Sequence, residues 1–159
     1  MIRLAAVALL GFALPVFASS FSGRVVGVLD GDTIDVLTAE KVLIRVRLCQ
    51  IDAPEKRQPF GNVSKQSLSD LVYGMDAVIE DEGKDRYGRT IGCITANHVD
   101  VIREQLRRGM AWVFTRYAKD ADLAGIEAEA RSARRGLWAD PAPTPPWQFR
   151  HPKKPTENE

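Results

Sequence analysis

Three short segments gather the side chains with which a protein could hold a hard cation and brace a phosphate. Asp30-Gly31-Asp32-Thr33 offers two carboxylates and a hydroxyl. Val46 to Glu55 places Arg47 ahead of an Asp52-Ala53-Pro54-Glu55 corner, and Asp85-Arg86-Tyr87-Gly88-Arg89 closes a turn on a second arginine. Oxygen-only donors such as Asp32, Asp52 and Thr33 suit calcium or magnesium rather than zinc or copper. The guanidiniums of Arg47 and Arg89 match phosphate oxygens bidentately and keep their charge at any ordinary pH. Glu55, as an ordinary carboxylate, is ionised at neutral pH and able to take a proton from water.

Each segment alone also has a plainer reading. Asp-Gly pairs are common hairpin turns, two acids flanking a proline make a polar loop, and a lone arginine is usually solvated. The proline corner is the most constrained of the three. Pro54 fixes its own φ and presses Ala53 into extended geometry, which holds Asp52 and Glu55 in a set relation.

The elements that must position these groups are legible from hydrophobic period. Phe21 to Leu29 reads as a strand carrying Val25, Val26 and Val28, and Ile34, Val36 and Leu37 mark a second. Val42, Ile44, Val46 and Leu48 alternate with Leu43, Arg45, Arg47 and Cys49. That period of two turns the first set to a core and puts Arg47 and Cys49 together on the other face. Leu68, Leu71, Val72 and Met75 predict a helix from Ser64 to Tyr73, stopped by Gly74. Ala77 to Asp81 and Thr90 to Thr95 predict two strands flanking the Asp85-to-Arg89 turn. Val99, Ile102 and Leu106 predict a second helix stopped by Gly109. Leu123, Ile126, Ala130, Ala133 and Leu137 predict a third, ending at Gly136. Five strands with a helix between the third and fourth is the order of an oligonucleotide-binding (OB) barrel, an α+β fold that is mainly β, here with three helices.

Composition sets further bounds on the 159-residue chain. Residues 1–18 read as an export signal: Arg3 supplies charge, Leu4 to Phe17 is nearly all apolar, and Val16-Phe17-Ala18 suits a signal peptidase. The apolar run is shorter than the ~20 residues that span a bilayer, so cleavage near Ala18 and a periplasmic or secreted product are expected. Without Arg3 the chain's 22 Lys and Arg fall to 21, against 21 Asp and Glu. A balanced chain cannot coat nucleic acid through its overall field, so any contact must rest on local clusters. Residues 21–138 suffice for one domain with its own core. After Trp138 prolines dominate and predict an extended or disordered tail over 139–159, with Trp147 and Phe149 available to dock part of it. Cys49 and Cys93 are too few for a four-ligand zinc site. They are either one disulfide or two buried thiols. His98 in an Ala96-Asn97-His98 turn and His151 in the tail read as solvated.

The ordered set Asp-Gly-Asp-Thr, Arg-x-x-x-x-Asp-x-Pro-Glu and Asp-Arg-Tyr-Gly-Arg resembles the staphylococcal nuclease (thermonuclease) family from about Phe21 to Trp138. Gly136-Leu137-Trp138-Ala139-Asp140-Pro141 is similar to the ending of many Gram-negative secreted members. The resemblance implies an OB barrel and calcium-dependent hydrolysis of DNA and RNA, single strands favoured, by a monomer. Water would displace the 5′-oxygen and leave 3′-phosphates. Carried over by motif, Asp32, Asp52 and the Thr33 carbonyl would hold Ca2+, and Arg47, Glu55 and Arg89 would be catalytic. Arg86 and Tyr87 match positions that touch a terminal phosphate, and Tyr117 matches a tyrosine beside the nucleotide.

Two departures bear on substrate handling. Thr115 stands where the family's type member stacks another tyrosine, with Trp112 and Phe114 reading as core. The loop from Glu55 to the first helix is also shortened. In such a barrel the third and fifth strands are neighbours, so Cys49 and Cys93 would meet and brace the catalytic strands. The competing reading is an OB module that binds nucleic acid without cutting, or a plasmid-transfer accessory protein. A degenerate module should have lost Asp32, Arg47, Glu55 or Arg89, and all four are present.

Overall fold

The alternating apolar runs form the strands they predict, and the strands close on themselves. A computed structural model describes residues 19–152, so the expected export signal at 1–18 lies outside the described residues. The barrel strands are β1 (Ser19–Val28), β2 (Thr33–Leu37), β3 (Leu43–Leu48), β5 (Asp76–Lys84) and β6 (Thr90–Ala96), while β4 (Ile51–Asp52) lies between β3 and the first helix. Neighbours run β3-β2-β1-β5-β6, and a β3–β6 pairing completes the ring. That last seam is parallel, with Val46 opposite Thr90 and Leu48 opposite Gly92, whereas the other four are antiparallel. Inward residues Val25, Ile34, Val36, Val46, Leu48, Ile79 and Ile94 fill the barrel. Val42 does not join them. It precedes β3 at the rim and is exposed.

Helix α1 (Gly61–Val72) and helix α2 (Val101–Arg107) cap one side of the barrel, burying Leu68, Val72, Ile102 and Leu106. Val99, expected on the second helix, instead pairs with Ala96 in β7 (Val99–Asp100) and is half exposed. The helix starts after Asp100, whose carboxylate accepts a 3.0 Å hydrogen bond from the Arg103 amide. An N-cap at that point outweighs the apolar spacing that Val99 extends. Two-residue strand β8 (Trp112–Val113) pairs with β4 and sets Trp112 beside Asp52.

Helix α3 (Asp122–Ser132) ends four residues before Gly136, and Leu137 sits on a separate 3-10 turn, Gly136–Ala139. Its side chain is buried with Trp112, Ala130 and Trp138 in a second apolar cluster. Backbone approach explains the break. A Cβ on Gly136 would lie 2.3 Å from the Gly109 carbonyl oxygen, and one on Gly109 would lie 2.2 Å from that of Arg135. Two turns at positive φ press together here, so neither position tolerates a side chain and the helix cannot run through.

The proline-rich tail also departs from a purely extended path. Pro146 occupies N1 of α4 (Pro146–Phe149), the one helical position where its missing N–H costs nothing. Trp147 stacks on Phe114 with ring centroids 5.9 Å apart and meets Trp112 edge-on at 5.7 Å. The tail is therefore a docked segment as far as its description extends.

Candidate active site

The end of β3 and the corner after it build a pocket around one guanidinium. Arg47 Nη1 donates to the carbonyls of Leu48 (2.7 Å) and Ile51 (2.8 Å), which ties the side chain to the chain reversal at Cys49-Gln50. Arg47 Nη2 lies 3.0 Å from Asp52 Oδ1 and 3.1 Å from Asp32 Oδ2. Two carboxylates from segments 20 residues apart in sequence thus converge on one nitrogen. Asp52 is fully enclosed at 1% side-chain exposure, Asp32 nearly so at 8%, and Arg47 shows 14%.

Local structure fixes each acid. Asp32 Oδ2 also accepts from the Ala53 amide at 2.7 Å, and Asp32 Oδ1 from the Thr33 hydroxyl at 3.1 Å. The Asp30 carboxylate caps the Asp32 amide, and the Asp32 carbonyl accepts from Leu48 N in the β2–β3 ladder. Gly31 is required by packing. A Cβ there would lie 1.9 Å from Ser64 Oγ on α1 and 2.7 Å from the Ala53 Cβ. Its carbonyl accepts from the buried Gln105 side chain on α2. Two helices thereby clamp the Asp30-Gly31-Asp32 loop against the proline corner. Burial pushes the Asp32 carboxyl up to about 6, aided by the Asp30 charge and opposed by Arg47.

The donor set fits a hard cation. It is all oxygen, doubly acidic, and free of His and Cys side chains. Among the described residues no group of three or more His, Cys, Asp or Glu side chains is placed to hold a metal ion by itself. Asp32, Asp52 and the Thr33 hydroxyl would furnish part of a coordination shell, with water supplying the remainder, because the Thr33 carbonyl expected as a ligand already accepts from the Leu29 amide at 2.9 Å.

Glu55 stands at the rim, 39% exposed. Its amide donates to Gln58 Oε1 and its carbonyl accepts from Gln58 N, so the loop entering α1 holds its backbone firmly. Its carboxylate contacts Arg150, whose Nη1 lies 2.6 Å from Glu55 Oε1 and whose Nη2 lies 2.7 Å from Asp52 Oδ2. The hydrogen bonds that Arg150 donates to Asp52 and then to Glu55 raise its guanidinium further above its already high pKa, against desolvation. No motif signalled Arg150, because it lies 95 and 98 residues from its partners in a tail read by its prolines.

The second arginine belongs to a separate turn. Asp85 Oδ1 accepts from the Tyr87 and Arg89 amides, and its Oδ2 from Arg89 Nε at 2.7 Å. Burial works against ionising Asp85, but these bonds outweigh it and hold the carboxyl below its usual range. Arg86 and Arg89 flank the ring of Tyr87 at 4.9 and 5.6 Å from its centroid, and that ring is 70% exposed. An open groove of about 440 Å³ runs beside this turn, lined by Asp35, Leu43, Arg45, Tyr87, Gly88 and Arg89. The structure does not bring Arg89 into contact with the carboxylates of the pocket. Tyr117 is half exposed and packs edge-on against Phe114 at 4.9 Å, with no bond to the pocket.

Two braces hold pocket and turn in register. Cys49, just past β3, is joined to Cys93 on β6 by a disulfide, with Cα atoms 5.1 Å apart. Gln50, at φ +60°, reaches across to the loop before α3. Its Oε1 accepts from the amides of Lys119 (2.7 Å) and Asp120 (2.9 Å), and its carbonyl accepts from Phe114 N. Gln50 thus fixes the loop that carries Tyr117. Only its positive φ marks it as unusual, and a single sequence does not display φ.

Comparison with known proteins decides what this arrangement is. Residues 45–140 match the model of the staphylococcal nuclease homologue family. The chain is 43% identical over 143 residues to a protein of Escherichia coli O157:H7 named an uncharacterized endonuclease, covering 89% of this chain and 93% of that one. It is 41% identical over 167 residues to a micrococcal nuclease of Shigella flexneri, covering 97% and 94%. It is 42% identical over 131 residues to a further uncharacterized endonuclease, of Haemophilus influenzae, covering 82% and 74%. The chain belongs to the staphylococcal nuclease family. It is accordingly a nuclease, a hydrolase whose substrates are nucleic acids.

Proposed function

We propose that this nuclease is an exported, calcium-dependent enzyme that hydrolyses DNA and RNA to products bearing 3′-phosphates. The observation that carries this reading is the buried pair Asp32 and Asp52, held together by Arg47 with Glu55 at its rim. A divalent cation held by Asp32 and Asp52, with the Thr33 hydroxyl beside them, would offset charge on the phosphate under attack. Glu55 takes a proton from the attacking water, a task suited to an ionised carboxylate that is partly exposed. Arg89 donates to the equatorial phosphate oxygens as negative charge grows there, and Asp85 sets its orientation until the phosphate arrives. Arg47 fixes the separation of the two carboxylates, with its Nη1 engaged by backbone carbonyls, and adds positive charge beside the reacting phosphate.

Substrate contacts follow the groove. Tyr87, with Arg86 beside it, offers an exposed ring and a cation to a terminal phosphate, and Tyr117 offers a ring to a base. Exposed rings serve unstacked bases, which favours single strands. Export is supported by the apolar segment at 1–18 and by the Cys49–Cys93 disulfide, which suits an oxidising compartment such as the periplasm.

The test is to incubate the purified mature chain with end-labelled single-stranded DNA and RNA, with calcium and then with chelator. Cleavage with calcium, 3′-phosphate ends and loss in Glu55→Ala and Arg89→Ala are the expected results. Equal cleavage by those variants, or 5′-phosphate ends, would refute the assignment.

A further inference from the structure

Arg150 is the unexplained group in the site. Its guanidinium reaches Asp52 through two bonds, Nη2 to Oδ2 at 2.7 Å and Nη1 to Oδ1 at 3.2 Å, and Glu55 through a third at 2.6 Å. A planar fork facing a carboxylate is the geometry in which arginine binds acids best. The two acids it grips are the ones assigned above to the cation and to the water.

The docking that delivers Arg150 is specific. Pro146 is buried, and Trp147 lies in a slot formed by Phe114 and Trp112. The Gln58 side chain, whose other end caps the Glu55 amide, donates to the Thr144 carbonyl. A small cavity of about 130 Å³ between Pro54, Gln58, Trp112 and Phe149 shows that the segment lies against the proline corner itself. One turn of helix, α4, then aims Arg150 at the pocket from directly above.

We propose that Arg150 is a tethered cation that competes with the metal for Asp52 and Glu55, so that metal binding requires the docked C-terminal segment to let go. The inference rests on the assignment of Asp32 and Asp52 as cation ligands. Electrostatics supplies the reason. Asp52 is enclosed and already touches Arg47, so Arg150 completes its neutralisation. A divalent ion would bring a third positive group to the same oxygens. Like charges in a partly enclosed site repel strongly, and Arg150 is the one of the three on a releasable tether. Its departure also frees Glu55 to receive a proton, so metal arrival and base activation become one event. The coupling is reciprocal: whatever holds the segment down weakens the metal, and the metal loosens the segment.

The experiment is a calcium titration by calorimetry on the mature chain and on its Arg150→Ala, Trp147→Ala and Asp52→Asn variants. It is paired with amide exchange of residues 141–152, measured by mass spectrometry with and without calcium. Arg150→Ala should bind calcium about tenfold more tightly, toward the lower end of the range for coupled sites. Trp147→Ala, which undocks the segment while keeping the arginine, should move the same way by a smaller factor. Calcium should speed exchange over 141–152 in the unaltered chain, and Asp52→Asn should lose binding. Calcium affinity equal or weaker in Arg150→Ala, or exchange over 141–152 indifferent to calcium, would overturn the proposal while leaving the cation assignment standing. Absence of calcium binding in every chain, Arg150→Ala included, would refute the cation assignment and this proposal with it.

Discussion

The carboxylate pocket and the arginine turn, proposed to serve one reaction, lie in opposite physical regimes. In the pocket, Asp32, Arg47 and Asp52 are enclosed, cross-bonded and clamped by two helices through Gly31. In the turn, Arg89 is 30% exposed, has one ion-pair partner, and sits between strands beside an open groove. Buried charges cost desolvation and must therefore be fixed and paired. A group meant to close on a diffusing substrate gains from a looser hold. The difference teaches that the proposed cation side of this site is preorganised by the fold, whereas the proposed phosphate side is kept adjustable.

Breaking the pocket should damage the protein itself. Arg47→Ala leaves the enclosed Asp32 without its cation, Asp52 keeping Arg150, and should lower stability by about 3–5 kcal/mol, the range for orphaning a buried charge. Urea unfolding at pH 7 measures this, and a variant as stable as the parent would place the pocket in the same regime as the turn. Uncoupling the two regions comes next. Cys49→Ser with Cys93→Ser opens a loop of sequence separation 44 and should cost about 4 kcal/mol in the chain-entropy model. The loss appears as a lower unfolding midpoint, and the parent treated with reductant should match the double variant.

Breaking the turn should damage only the chemistry. Arg89→Ala is expected to reduce kcat on the order of 100-fold, as for removal of one transition-state donor. Its unfolding midpoint should barely move, because a partly exposed ion pair contributes about 0–1 kcal/mol. A large stability loss with modest kinetic loss would invert the comparison. The smallest effect concerns the desolvation of Asp32. Its folded pKa of about 6 lies above the ordinary 3.8, so between those values the folded chain holds a proton that the unfolded chain has released. Stability should then fall as pH rises from about 4 to 6 and level off above. Asp32→Asn should remove that slope and stabilise the metal-free protein at pH 7 by about 2 kcal/mol. Unfolding curves between pH 4 and 7 decide it, and parallel curves for both proteins would deny the desolvation.

How much of this was written in the sequence differs between the same two regions. The barrel strands were readable because period two is local, and β3 turns Arg47 away from the buried Val46 and Leu48 as alternation expects, whereas Cys49, just past β3, is buried in the core instead. The pocket and turn residues were readable through three ordered motifs. Three things were not. Leu137 keeps helical spacing from Ala130, yet the Gly109 and Gly136 backbones meet between them, and such an encounter leaves no periodic trace. Gln50 works through amides 69 and 70 residues away. Arg150 follows prolines that break structure in most settings, but here Pro146 begins a helical turn and Trp147 finds aromatic partners about thirty residues back. Long-range satisfaction of polar and aromatic groups is invisible to any window sliding along a chain.

The parallel seam between β3 and β6 has a consequence in time. Its two sides are far apart in the chain, and pairing them requires closing a long loop before any contact repays the lost freedom. Arg47 and Asp52 lie on one side of that seam and Arg89 on the other. A newly made chain therefore carries every group of the nuclease and none of its geometry. Until the seam zips, nothing holds Arg89 at a fixed distance from Arg47 and Asp52.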